Sequence, residues 1–120
     1  MIVAEIFVMQ AGDRDERIEI ARVRDTHDMY RITYRPRDGK TKAYSFQLHR
    51  SKVADYVYDM LDLLRYDMYP YDSVQVMTKH MPPVVVSTMD LEEGEARSLI
   101  GRTVLSALDA NIAIVKRNSA

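Results

Sequence analysis

Strict alternation of apolar and polar positions organises the first half of the chain, and a helical period replaces it after residue 49. Residues 2–9 (IVAEIFVM) are apolar on both sides of the alternation except at Glu5, which predicts a strand covered on both faces, either central or at an oligomer contact. Residues 11–17 (AGDRDER), with Gly12 and a run of charges, are expected to break that strand, and extended structure resumes over residues 18–24. Residues 25–28 (DTHD) read as a turn of short polar side chains. Residues 29–35 then alternate cleanly, with Tyr30, Ile32 and Tyr34 on one face and Arg31, Thr33 and Arg35 on the other. Asp38-Gly39 supplies the positive φ of a tight hairpin and should fold this strand onto residues 41–49. There Tyr44, Phe46 and Leu48 extend the apolar face, opposite Ala43, Ser45, Gln47 and His49.

Ser51 can cap a helix running to about Tyr66 or Met68, stopped by Pro70. At about 100° per residue, Val53, Tyr56, Val57, Met60, Leu61, Leu63, Leu64 and Met68 fall in one arc that faces a core. Residues 74–78 and 84–88 read as two further strands, and Pro82-Pro83 between them places a kink or a sheet edge there. Residues 90–93 (DLEE) resemble a capping box that opens a second helix to about Asn111, followed by a frayed tail over residues 113–120. The order β-β-β-β-α-β-β-α predicts one α+β domain over residues 1–120, a mainly antiparallel sheet with two helices packed on one face.

Composition narrows the function more than the fold. At 120 residues the chain can bury a core without staples, and 47% hydrophobic with 29% charged residues fits an ordinary folded protein. The absence of cysteine excludes disulfides, thiol catalysis and Cys-ligated zinc. The opening MIVAEIFVMQ has no basic leader region and is too short an apolar run to cross a bilayer, so a soluble, cytoplasmic protein is expected, without a membrane partner. His27, His49 and His80 show no metal-ligand spacing, and the DRDE at residues 13–16 lacks the glycine and glutamate that complete a calcium loop. Gly101-Arg102-Thr103 imitates the end of a phosphate loop but lies inside a predicted helix with the wrong glycine spacing. Close helix packing at Gly101, Ala96 and Ala107 accounts for it. No nucleophile elbow is present. A non-enzymatic protein is expected, with no metal, no cofactor and no identified small-molecule substrate.

Two surfaces remain as candidates. In YDMLDLLRYDMYPYDS (residues 58–73) the helical wheel turns Tyr58, Tyr66 and Tyr69 away from the apolar arc, among Asp55, Asp59 and Asp62. Tyrosine offers a large contact area with a polar tip, so an outward Tyr/Asp face predicts a contact with a protein partner or with a second copy in a homo-oligomer. This is the leading expectation. The alternative comes from charge: the net value of −1 hides an excess of basic residues over 14–52, 11 Lys+Arg against 6 Asp+Glu. Arg22, Arg24, Arg31, Arg35, Arg37, Lys42 and His49 would lie on or beside a wet sheet face able to follow a single-stranded nucleic-acid backbone. Against it, Tyr30, Tyr34, Tyr44 and Phe46, the rings that would stack on bases, belong to the opposite face.

Overall fold

The computed structural model describes residues 2–10, 13–35, 44–66, 73–79, 82–87 and 92–118. Six strands and two helices follow in the order β1 (Ile2–Gln10), β2 (Asp13–Arg22), β3 (Met29–Arg35), β4 (Tyr44–His49), α1 (Arg50–Tyr66), β5 (Ser73–Met77), β6 (Val84–Ser87) and α2 (Glu93–Asn118). The strands form one sheet in the order β4-β3-β2-β1-β5-β6, every neighbouring pair antiparallel. The expected α+β architecture, element order and one-sided helix layer are all present, and β1 is central, but its expected cover on both faces is incomplete: Ile6 and Val8 are enclosed beneath the helices, whereas Glu5, Phe7 and Met9 on the open face are only half-buried.

Alternation decides which side is buried. Ile6 and Val8 of β1, Ile18 and Ile20 of β2, Tyr30 and Ile32 of β3, and Val74 and Val76 of β5 all point to one face. Val53, Val57 and Leu61 of α1 and Ile100, Val104 and Leu108 of α2 close over them. The β3–β4 register is the one the alternation predicts, with Tyr30 opposite Leu48, Ile32 opposite Phe46 and Tyr34 opposite Tyr44. Beside the β3 end, the Tyr34 hydroxyl donates to Glu16 Oε2 at 2.8 Å, which satisfies a carboxylate at the rim of the core.

Four local expectations change. β2 begins at Asp13 rather than after residue 17, because Gln10, Met9 and Val8 pair with Asp13, Arg14 and Glu16 across a register shift. The charged run is held by the ladder, with its backbone groups paired to β1. α1 starts at Arg50, so its cap is His49: the Ser51 N–H donates to His49 Nδ1 at 3.2 Å, and the Ser51 hydroxyl lies 2.9 Å from the same nitrogen. α2 continues to Asn118, past the stop expected near Asn111 and through part of the expected tail. Residues 111–118 contain no Gly or Pro to stop it. Gly101 is not required for close approach, since a Cβ there would meet Ala54 Cβ at 3.8 Å, an ordinary contact. The turn between β2 and β3 is as expected. Val23 N–H donates to Met29 O at 3.0 Å, Thr26 Oγ1 donates to Val23 O at 2.8 Å, and Asp25 takes a φ of 63°, which aspartate tolerates better than most residues. The Asp38-Gly39 hairpin turn and the Asp90 end of the capping box lie outside the described residues.

One core group is unbalanced. Tyr30 is fully enclosed and its hydroxyl has no hydrogen-bond partner among the described residues; burial raises its pKa above the ordinary tyrosine value, against the pull of Arg50 and Arg22. A raised acid pKa contributes stability that is fully present below the unfolded value of about 10 and is lost as pH rises from there through the folded value. Tyr30→Phe is therefore expected to match or exceed the parent by up to about 1 kcal/mol in urea unfolding at pH 7. The same variant should flatten the loss of stability above pH of about 10. A mid-helix glycine with room for a methyl predicts that Gly101→Ala raises unfolding free energy by about 0.5–1 kcal/mol in the same assay.

Candidate functional site

The Tyr/Asp stripe of α1 does not face solvent as one surface. Tyr58 is only 5% exposed, contrary to its expected outward position. The guanidinium carbon of Arg97 on α2 lies 4.2 Å from the Tyr58 ring centroid, a cation–π contact across the two helices. The same guanidinium pairs with Asp59 Oδ1 at 2.8 Å and with Asp55 Oδ1 at 3.4 Å. Its pKa is raised, first by the hydrogen bond to Asp59 and then by the two nearby carboxylates. Asp55 and Asp59 remain at the surface, but Arg97 occupies them, and Asp62 is half-buried. The Tyr66 side chain and all of Tyr69 lie outside the described residues. The wheel failed at Tyr58 for a simple reason: α1 rests on the sheet and also leans on α2, so its buried arc is wider than one contact would make it.

The basic set disperses as well. Arg22 pairs in register with Tyr30 and therefore lies on the helix side of the sheet. Arg24 is in the exposed turn, 4.0 Å from Asp25, and His49 is engaged with Ser51. On the open face, Arg35 and Arg17 converge on the carboxylate of Glu19, with Arg17 Nε at 3.6 Å, and Arg17 also reaches Glu5 at 3.9 Å. Glu19 is 5% exposed, and its burial is compensated by two guanidinium groups. Among the described residues of that face this pairs Arg17 and Arg35 with carboxylates, while Arg31 is exposed opposite Gln47 and Ala21. Arg37 and Lys42 lie outside the described residues.

A third surface was not singled out by sequence patterning. β6 forms the outer edge of the sheet beyond β5, and it reads Val84-Val85-Val86-Ser87. Val85 is 59% exposed and Val84 38%, the former on the open face and the latter on the helix side. No charge or proline interrupts those four residues, although lysine, proline or a bulge is the usual protection of an edge. Beside the edge, an open groove of about 240 Å³ runs between the sheet and α2. Val76, Thr78 and Val84 line one wall and Thr103, Ser106 and Ala107 the other, and no charged residue lines it. The Thr103 hydroxyl already donates to the Leu99 carbonyl at 2.8 Å, whereas the Thr78 hydroxyl is buried without a hydrogen-bond partner among the described residues. The sequence held half of this signal. Pro82-Pro83 placed an edge there, but the depth of the groove depends on where α2 crosses.

The described residues hold no group of three or more His, Asp or Glu side chains able to grip a metal ion, and no described helix is long and apolar enough to cross a membrane. Comparison of the chain with protein-family models, with curated proteins and with solved structures finds no match.

Arg97→Ala should uncover Tyr58. Nitration by tetranitromethane, located by peptide mass spectrometry, is expected to rise at Tyr58 in that variant and to stay unchanged at Tyr30, which Arg97 does not cover. Equal labelling of Tyr58 in parent and variant would show that α2 shields the ring without the arginine.

Proposed function

We propose that this chain is a non-enzymatic interaction protein that binds an extended protein segment by accepting it as an additional strand on β6. The observation that carries the reading is the exposure of Val84 and Val85 on an uncharged outer strand with a groove beside it. In this mode of recognition, main-chain hydrogen bonds supply affinity and pockets for alternate side chains supply selectivity. Among the described residues no strand pairs with the outer side of β6, and the groove between β6 and α2 would receive every second side chain of the incoming strand. Its walls favour an uncharged aliphatic or small residue. The Thr78 hydroxyl supplies one polar group that a ligand can satisfy.

This reading keeps the expected class, a protein that binds another protein or itself, and moves its contact surface. The α1 face built on Asp55, Asp59 and Tyr58 is weaker support, because Arg97 already fills it. Nucleic-acid binding is disfavoured by the Glu19 cluster, which ties up Arg17 and Arg35.

A fluorescein-labelled peptide of alternating valine and threonine, titrated with the protein and followed by anisotropy, tests the proposal. Saturable binding with Kd of about 10 μM to 1 mM is expected, the range of small recognition surfaces. The affinity should fall at least tenfold in Ser106→Trp, which fills the groove from an exposed helix position, and should not change in Ser45→Lys at the opposite edge of the sheet. No saturable binding, or equal binding by Ser106→Trp, would overturn the assignment.

A further inference from the structure

We infer that the strand β6 accepts is β6 of a second copy of this chain, giving a symmetric dimer with one continuous antiparallel sheet of twelve strands. The inference rests on the strand-addition reading and names its occupant. Every strand pair in the sheet is antiparallel, so the pairing that continues its geometry at β6 is antiparallel too. A two-fold axis perpendicular to the sheet brings two β6 strands together in that sense and keeps both helix layers on the same side.

Register then follows from the side-chain alternation. Residues opposite each other across an antiparallel pair share a face, so Val84 and Val86, on the helix side, must meet even-numbered partners, and Val85 an odd-numbered one. Centring the axis on Val85 sets Val85 against its own copy and Val84 against Val86, which gives a valine opposite a valine at each of three positions. Self-complementarity of this kind is what an isologous contact requires. Valine pairs across strands are favourable, and the same pairing would be spoiled by any like charge at these positions. There is none, and the net charge of −1 leaves little general repulsion between copies. On the helix side, Val84 lines the groove and is 38% exposed, so it is the residue of that pair with apolar surface left to bury, Val86 being enclosed in its own copy.

The contact is short. A four-residue edge with its adjoining groove belongs to the weak class of interfaces, so a dimer with Kd of about 10–100 μM is expected.

The test uses charge at the axis. Sedimentation equilibrium of the parent from about 5 to 500 μM should show molar mass rising from the 13.9 kDa of one chain toward twice that value. Val85→Lys and Val85→Glu each place like charges directly opposite their copies, so each alone should remain monomeric over the same range. Mixed in equal amounts, the two should associate again, because the mixed pair sets lysine against glutamate. Val85 is 59% exposed, so both variants are expected to keep the parent fold, checked by circular dichroism and urea unfolding. A parent that stays monomeric while the valine–threonine peptide still binds overturns self-pairing and leaves the strand-addition reading in place. Dimers that persist in Val85→Lys, or a mixture that fails to associate, also overturn it. A monomeric parent that binds no peptide removes both.

Discussion

The ladder between β1 and β5 holds the two parts of this molecule together. β1 to α1, residues 2–66, make four strands and a helix, and β5, β6 and α2, residues 73–118, make two strands and a helix. Their sheets join where Glu5 to Met9 pair with Ser73 to Met77. Along that seam Ile6 faces Val76 and Val8 faces Val74, all fully or nearly fully enclosed beneath the helices. Because β1 is also held by β2, a slip of β5 by one residue along it would turn Val74 and Val76 to the open face and bring Gln75 to the helix side. The one-sided core depends on that pairing more than on any helix contact.

The helices secure the layer by polar links at their exposed seam. Arg97 joins α2 to Asp55, Asp59 and the Tyr58 ring, and Arg50, at the start of α1, pairs with Asp109 of α2. These two links lie well apart along α2, so they fix the rotation of one helix against the other while the apolar residues beneath supply most of the free energy. Surface ion pairs contribute little each, but a guanidinium stacked on a buried ring and shared by two carboxylates is a more demanding geometry. The same economy appears on the open face, where Arg17 and Arg35 make a buried Glu19 tolerable.

Much of the fold was legible in sequence because alternation is a strong local signal. β3 and β4 carry it without a break, and their register follows residue by residue. β2 was legible only from residue 18, because its first residues, Asp13 to Arg17, have no apolar alternate and are strand only by virtue of the β1 backbone beside them. A helical wheel finds one buried arc, so it could identify Val53, Val57 and Leu61 but not Tyr58, whose cover comes from a distant arginine. Ser51 was the obvious cap by residue type, yet the preceding histidine performs the task. The candidate site was least legible of all. Three valines in a row look like core, and although Pro82-Pro83 pointed to a kink or an edge, the order of strands is what places them at the rim of the sheet.

The central position of β1 has a consequence for how the chain is made. β1 is synthesised first among these strands, and β2 can cover one of its sides as soon as residue 22 has emerged. Its other side waits for β5, whose pairing residues begin at Ser73. At ribosomal speeds of about 5–20 residues per second, an apolar strand edge stays open for several seconds in every nascent chain. During that interval the growing protein carries its stickiest unpaired edge in the middle of the future sheet, and a chaperone or a short pause that favours the β1–β2 hairpin would decide how many chains reach the finished ladder.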